Sequence, residues 1–299
     1  MLTRLPSKKM PKQVKHKQFR RPYSKWSLLL PTTLKLSKMK YLALILVLIA
    51  FASCRKVIDV DLNEANPATV IEANYTAEDS TIRVFITETS NFFSGDSEPT
   101  VDDAVVTITD QAGNSQLVPF ISEGGYVLEN YIPAYGTTYT MTVLSDGVTY
   151  TASCEMHTLI PQLGILYDYI EPGPFSGDGG YGVAVSYNDP AAAGDFTSVL
   201  ISKNGYQMSG LNDITLSDDQ LTNGNLVIRP LFVEIFDLGD TVEIELRTID
   251  EKIYRYYNEL ISLTDPNSAA PANPDYQWEN RALGYFSAYP SSRQSVIIQ

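Results

Sequence analysis

The sequence predicts a mainly β chain: an N-terminal immunoglobulin-like β-sandwich followed by a second β-rich domain that carries one C-terminal amphipathic helix. Three observations lead there. Apolar and polar residues alternate with a period of two in run after run rich in Val, Ile, Thr and Tyr. Turn-forming residues punctuate those runs at short intervals. Only one segment of the mature chain repeats at the helical period.

The first body takes residues 68–158. "ATVIEANYT" (68–76), "STIRVFITETS" (80–90), "DAVVTITDQAGNSQLV" (103–118), "GGYVLENYI" (124–132), "TTYTMTVLS" (137–145) and "VTYTASCEM" (148–156) each read as strand. Gln111-Ala112-Gly113-Asn114 marks a hairpin. Asp146-Gly147 marks a second, because that pair accepts the positive φ of a type I′ turn. So many strands with no helical pattern between them predict a sandwich.

A boundary is expected between Thr158 and Gly164, and the second body takes residues 159–299. A glycine-rich loop, "EPGPFSGDGG" (171–180), is followed by strands in "YGVAVSYND", "FTSVLISKN", "NLVIRPLFVEIF" and "DTVEIELRTID". Leu226 to Phe236 is almost continuously apolar, which predicts a strand buried on both faces. A helix is expected over about 251–264, since Ile253, Tyr256, Tyr257, Leu260 and Ile261 share one face, with Asp250 as N-cap and Pro266 as the stop. The last strands fall in "ALGYFSAY" and "SVIIQ".

Residues 1–53 are read as an address. The apolar run Tyr41–Ala52 is 12 residues long. A spanning helix needs roughly 20, so this run fits the core of a secretory signal. Lys35, Lys38 and Lys40 flank it, and Phe51-Ala52-Ser53-Cys54 closes it in the manner of a lipobox, with Phe51 where Leu is usual. Cys54 is therefore the expected lipidation site, and translation is expected to start at Met39. Residues 54–67 form a tether. Arg55 and Lys56 precede Asp59, Asp61 and Glu64, which leaves both the cell surface and the periplasmic face of the outer membrane open.

Charge and composition narrow the function. The first 53 residues hold 12 of the 22 Lys and Arg and none of the 35 Asp and Glu, so the remainder carries 10 basic and 35 acidic side chains. Such a surface repels phosphate backbones, and nucleic acid is excluded as a partner. With Cys54 consumed, Cys154 has no disulfide partner and is expected as a small buried core residue.

No catalytic residue stands out. His157 is the one histidine after the leader, without a nucleophile-elbow motif near it. Too few His and Cys remain for a zinc site, and no glycine-rich phosphate loop follows a strand. Asp59-Val60-Asp61-Leu62-Asn63 opens like an EF-hand loop, but Glu64 and Val70 stand where Gly and the bidentate Glu belong. "SGDSEP" (94–99) and "SGDGG" (176–180) offer oxygen ligands for calcium, with a solvated loop as the simpler reading. Among the 19 tyrosines, Tyr126, Tyr139 and Tyr150 are expected to build the sandwich, as are at least two of Tyr254, Tyr256 and Tyr257 to pack inward. No metal and no cofactor is expected.

Several stretches resemble one family. "CRKVIDVDL", "VIEANYT", the run "VDDAVVTITDQAGNSQLV" and "GGYVLENYIPAYGTTYTMTV", then "IYRYYNELISL" and "NRALGYF", occur in the order of Bacteroidota outer-membrane lipoproteins catalogued as domain of unknown function 4249. The resemblance runs from Cys54 to Tyr289, and departs at Arg281-Ala282, where the family usually carries two glycines. It implies a lipid-anchored protein often encoded beside a TonB-dependent outer-membrane receptor. The expected function is a non-enzymatic accessory or substrate-capturing partner of such a transporter, with a glycan or nutrient as ligand. A surface adhesion or structural lipoprotein is the alternative, and a carbohydrate-active hydrolase the third reading.

Overall fold

The computed structural model describes residues 67–90, 98–174, 176–264 and 274–299. Cys54, the leader, nearly all of the tether and most of the 94–99 loop lie outside the described residues.

Eight strands make the N-terminal sandwich: β1 (Thr69–Thr76), β2 (Thr81–Glu88), β3 (Val105–Thr109), β4 (Ser115–Val118), β5 (Phe120–Ser122), β6 (Gly125–Leu128), β7 (Thr137–Ser145) and β8 (Val148–Met156). One sheet runs β1-β2-β6-β5 and the other β4-β3-β7-β8. That order matches the two sheets of an immunoglobulin-like sandwich. Alternation sets which face is buried: Ile71, Ala73 and Tyr75 point inward from β1 and meet Val106, Ile108, Met141 and Val143 from the opposing sheet. Both predicted turns hold. Asp110 accepts from the backbone of Ala112 and Asn114, and Asp146 and Gly147 take φ of 49° and 75°. Cys154 is buried, as expected.

The second sandwich contains β9 (Gln162–Ile170), β10 (Gly180–Asn188), β11 (Phe196–Lys203), β12 (Tyr206–Gln207), β13 (Thr215–Asp218), β14 (Leu226–Phe236) and β15 (Thr241–Ile249). Helix α1 (Glu251–Thr264) follows, then β16 (Leu283–Tyr289) and β17 (Ser291–Ile297). A three-stranded sheet, β14-β10-β9, faces a sheet ordered β12-β11-β15-β17, with β13 also on β11. Val183, Val185 and Tyr187 from β10 pack on Val199, Ile201, Ile244 and Leu246 in a core separate from the first. Strand β9 was not expected, because its outer face mixes Gly164 and Asp168 with Leu166 and Ile170 and it begins inside the presumed boundary.

The last two strands divide between the sandwiches. β16 runs parallel beside β1, from Val70↔Leu283 to Thr76↔Tyr289, whereas β17 pairs with β15. One residue, Pro290, separates them. Gly284 makes the β1–β16 approach possible: at φ +91°, a Cβ there would lie 2.2 Å from the Ile71 carbonyl oxygen. Asp250 caps α1 as predicted, accepting from Lys252 N at 2.7 Å, while its second oxygen accepts from Glu155 N at 3.1 Å and ties the helix to β8.

The expectation that Leu226–Phe236 is buried on both faces is corrected. Val227 and Leu231 are buried, but Leu226 and Ile228 are more than half exposed and Phe232 is 92% exposed. The continuous apolar run reflects two different faces. One feeds the core; the other meets no covering layer among the described residues.

Candidate functional site

That uncovered face forms a groove of about 700 Å3. Its floor is the central strand, where the outward positions Gly182 and Ala184 carry only small side chains; the next, Ser186, is buried and donates from Oγ to the Gly164 carbonyl at 3.0 Å. Leu166 and Ile170 of β9 make one wall, and Ile228 and Phe232 of β14 the other. The β9 and β14 backbones lie two strand spacings apart, roughly 10 Å, so small residues between large ones leave a trough about one chain wide.

Irregular pairing deepens it. Val183 opposes Leu231, yet Tyr181 opposes Phe236, so the four residues 232–235 of β14 answer Gly182 alone. This bulge pushes Phe232 outward. Pro230, which cannot donate to a ladder, is compatible with β14 because that strand is an edge. Two glycines make room: a Cβ on Gly180 would lie 2.3 Å from Ile235 Cγ2, and one on Gly182 would lie 2.6 Å from Ile170 Cδ1. An ion pair holds the bulge from the other sheet. Lys203 Nζ donates to Glu234 Oε1 at 2.6 Å and reaches Asp240 Oδ2 at 3.3 Å. The hydrogen bond to Glu234 raises the ammonium above its ordinary value.

The charged lining of the groove is Asp168 and Glu234, both acidic. Asp168 sits opposite Gly182, the residue the bulge also faces, so both carboxylates gather at one level of the groove, with Leu166 on one side of Asp168 along β9 and Ile170 on the other. Asp168 has no cationic partner among the described residues.

Two other polar clusters have structural roles. Arg247 donates from Nε and Nη2 to Glu245 at 3.0 Å each and lies 4.5 Å over the Tyr289 ring. Burial alone raises the Glu245 carboxyl, but the bonds and charges of Arg247 and Arg293 outweigh it, and the net shift is downward. At the far end of β10, Asp219 accepts from Gly194 N and Asp195 N, fastening the 190s loop. Burial, with the like charges of Asp219 and Asp189, lifts Asp195 above the ordinary carboxylate value.

The other predicted positions are now placed. Cys54 and Asp59–Asn63 lie outside the described residues. The 176–180 loop folds back on itself, Gly173 N donating to Gly177 O at 3.2 Å and Ser176 Oγ to Glu171 O at 2.7 Å. His157 is half-buried beside Asp195 rather than beside a nucleophile. Tyr126 and Tyr139 are buried in the first core. Tyr150 packs against that core and meets the Thr69 hydroxyl at 3.1 Å. Tyr254 and Tyr257 also pack against it, and Tyr256 and Tyr257 stack on Tyr285. Among the described residues, no three His, Cys, Asp or Glu side chains are arranged to hold a metal ion. The groove was missed in the sequence, although the alternation Gly182, Ala184, Ser186 inside a strand of bulky partners was a usable signal.

No curated protein matches the chain. Among solved structures, a "Cytokine receptor complex" chain aligns over 75% of this chain and 94% of its own, at 11% identity and a TM-score of 0.26. A family match spans residues 55–295, nearly everything after the expected lipidation site. The chain belongs to the family described as domain of unknown function, DUF4249.

Proposed function

We propose that this protein is a non-enzymatic outer-membrane lipoprotein, anchored through Cys54, that works as an accessory or substrate-capturing partner of a TonB-dependent transporter. The observation that carries the reading is the apolar groove. It has the size and lining of a binding site, mostly apolar with two carboxylates, Asp168 and Glu234. The lipobox-like run ending at Cys54 supplies the anchor, and the family resemblance supplies the partner. Tethering by acyl chains keeps a binding module at high local concentration beside a pore without requiring a large interface.

Membranes solubilised in mild detergent provide the test. The tagged native protein brings a large outer-membrane barrel with it and incorporates radiolabelled palmitate. Cys54→Ala loses both the label and most of the recovered barrel. A labelled protein that never travels with a barrel overturns the partnership; an unlabelled one overturns the anchor.

A further inference from the structure

We infer that the groove takes an unbranched apolar chain carrying a cationic, N–H-donating group, with the chain along Ala184 and the cation at Asp168. This names the ligand class of the site on which the capture role rests.

The shape argues for a linear chain. From Gly182 to Ala184 the floor extends roughly 7 Å at about 3.3 Å per residue, its outward side chains are too small to interrupt it, and the walls run on past it from Ile228 to Ile170. Leu166 and Pro230 flank Ala184 directly in register, so the middle of the trough is apolar on both sides. A branched or bulky ligand would meet those walls. A methylene chain would bury its whole length, at roughly 0.8 kcal/mol per buried CH2.

The polarity argues for the head group. Asp168 and Glu234 lie at the level of Gly182, and the lining on either side of them, Leu166 and Ile228 one way and Ile170 the other, is apolar. The Lys203 ammonium is shared between Glu234 and Asp240, so this acidic level keeps a net negative charge. An anionic head there would meet uncompensated carboxylates, while an ammonium would meet an acceptor in Asp168. The acidic excess of the chain after residue 53 points the same way.

The probe is dodecylammonium carrying a photoreactive diazirine on its chain, applied below micelle-forming concentration to cell envelopes containing the full protein. Labelled peptides are mapped by mass spectrometry, with unlabelled dodecylammonium or dodecanoate as competitor. The expected result is labelling confined to peptides around Leu166, Ile228 and Phe232, competed at least about fivefold better by the amine than by the acid, the ratio of one partly exposed ion pair. Asp168→Asn erases that preference. Ala184→Trp, which fills the trough, abolishes labelling; Phe232→Ser, at an exposed position, weakens it and guards against misfolding as the cause. Labelling spread over the surface, equal competition by both charges, or indifference to both groove substitutions each overturns the inference. If the substitutions instead release the barrel while no label enters, the groove is the transporter's seat. The ligand class then falls and the partnership stands. Groove labelling without a co-purifying barrel gives the converse.

Discussion

The two sandwiches are finished differently. The first is closed by the end of the chain: α1 lays Tyr256 and Tyr257 on Tyr285, Trp278 is buried, and β16 adds a parallel strand beside β1. The second receives β17 on one of its sheets, but among the described residues nothing is laid over the outer face of β14-β10-β9. The same residue types therefore have opposite fates. Phe286 is 1% exposed and Phe232 is 92% exposed. An aromatic or aliphatic side chain is a core residue only if the topology brings a second layer to it, and an apolar face without one is a place for a partner or ligand.

The sharpest way to break this contrast is to open the closed side. Trp278 is 2% exposed and its indole Nε1 donates to the Ile71 carbonyl at 3.1 Å. Trp278→Ala removes the ring and leaves that oxygen without its partner, at a cost of about 3–5 kcal/mol. Urea unfolding checks this; a loss under about 1 kcal/mol would mean that the C-terminal segment is only loosely applied.

Next comes the polar link beneath Tyr289. Because the folded Glu245 carboxyl sits below its ordinary value of 4.5, its stabilisation is fully present above that pH and is lost as pH falls through the lower folded value. Glu245→Gln costs about 2 kcal/mol at neutral pH and flattens the acid limb of the stability profile. Unfolding midpoints at neutral pH and at a pH below 4.5 distinguish this from loss of packing, which lowers both equally.

How much of this contrast was legible follows from its physics. Alternation and turn chemistry are local, so strands such as Thr137–Ser145 and Val148–Met156 were read with their observed bounds, and Asp250 was recognised as a cap. Whether a face is covered is not local. The run from Leu226 to Phe236 looks the same whether a layer lies above it or not, and only the tertiary arrangement decides. The parallel docking of β16 on β1 joins residues more than two hundred positions apart, and its one sequence trace is Gly284, whose need is visible only beside Ile71. Strand β9 escaped because a strand with one solvent face made of Gly164, Leu166, Asp168 and Ile170 alternates weakly.

A smaller effect tests the groove floor. Gly182→Ala places a Cβ 2.6 Å from Ile170 Cδ1, the mobile tip of a partly exposed side chain that is able to swing away. The cost is about 1 kcal/mol rather than the larger penalty of a backbone clash. Binding of the alkyl probe falls with it, because the displaced Ile170 narrows the trough. Equal stability with unchanged probe binding would show that the small residue at this position is not what shapes the groove.

The smallest expected change in stability is the most discriminating. Phe232, at 92% exposure on the bulge of β14, contributes almost nothing to folding if the outer face is bare in the isolated protein. Phe232→Ser then shifts the free energy of unfolding by less than about 0.5 kcal/mol, as surface substitutions do. A loss of about 2 kcal/mol or more would instead mean that the face is covered in solution, since removing a buried phenyl ring is costly. Comparing purified protein with protein in its envelope sharpens the point. A substitution neutral in the first setting and destabilising in the second locates the missing layer outside the chain, by the mass action of whatever occupies the groove.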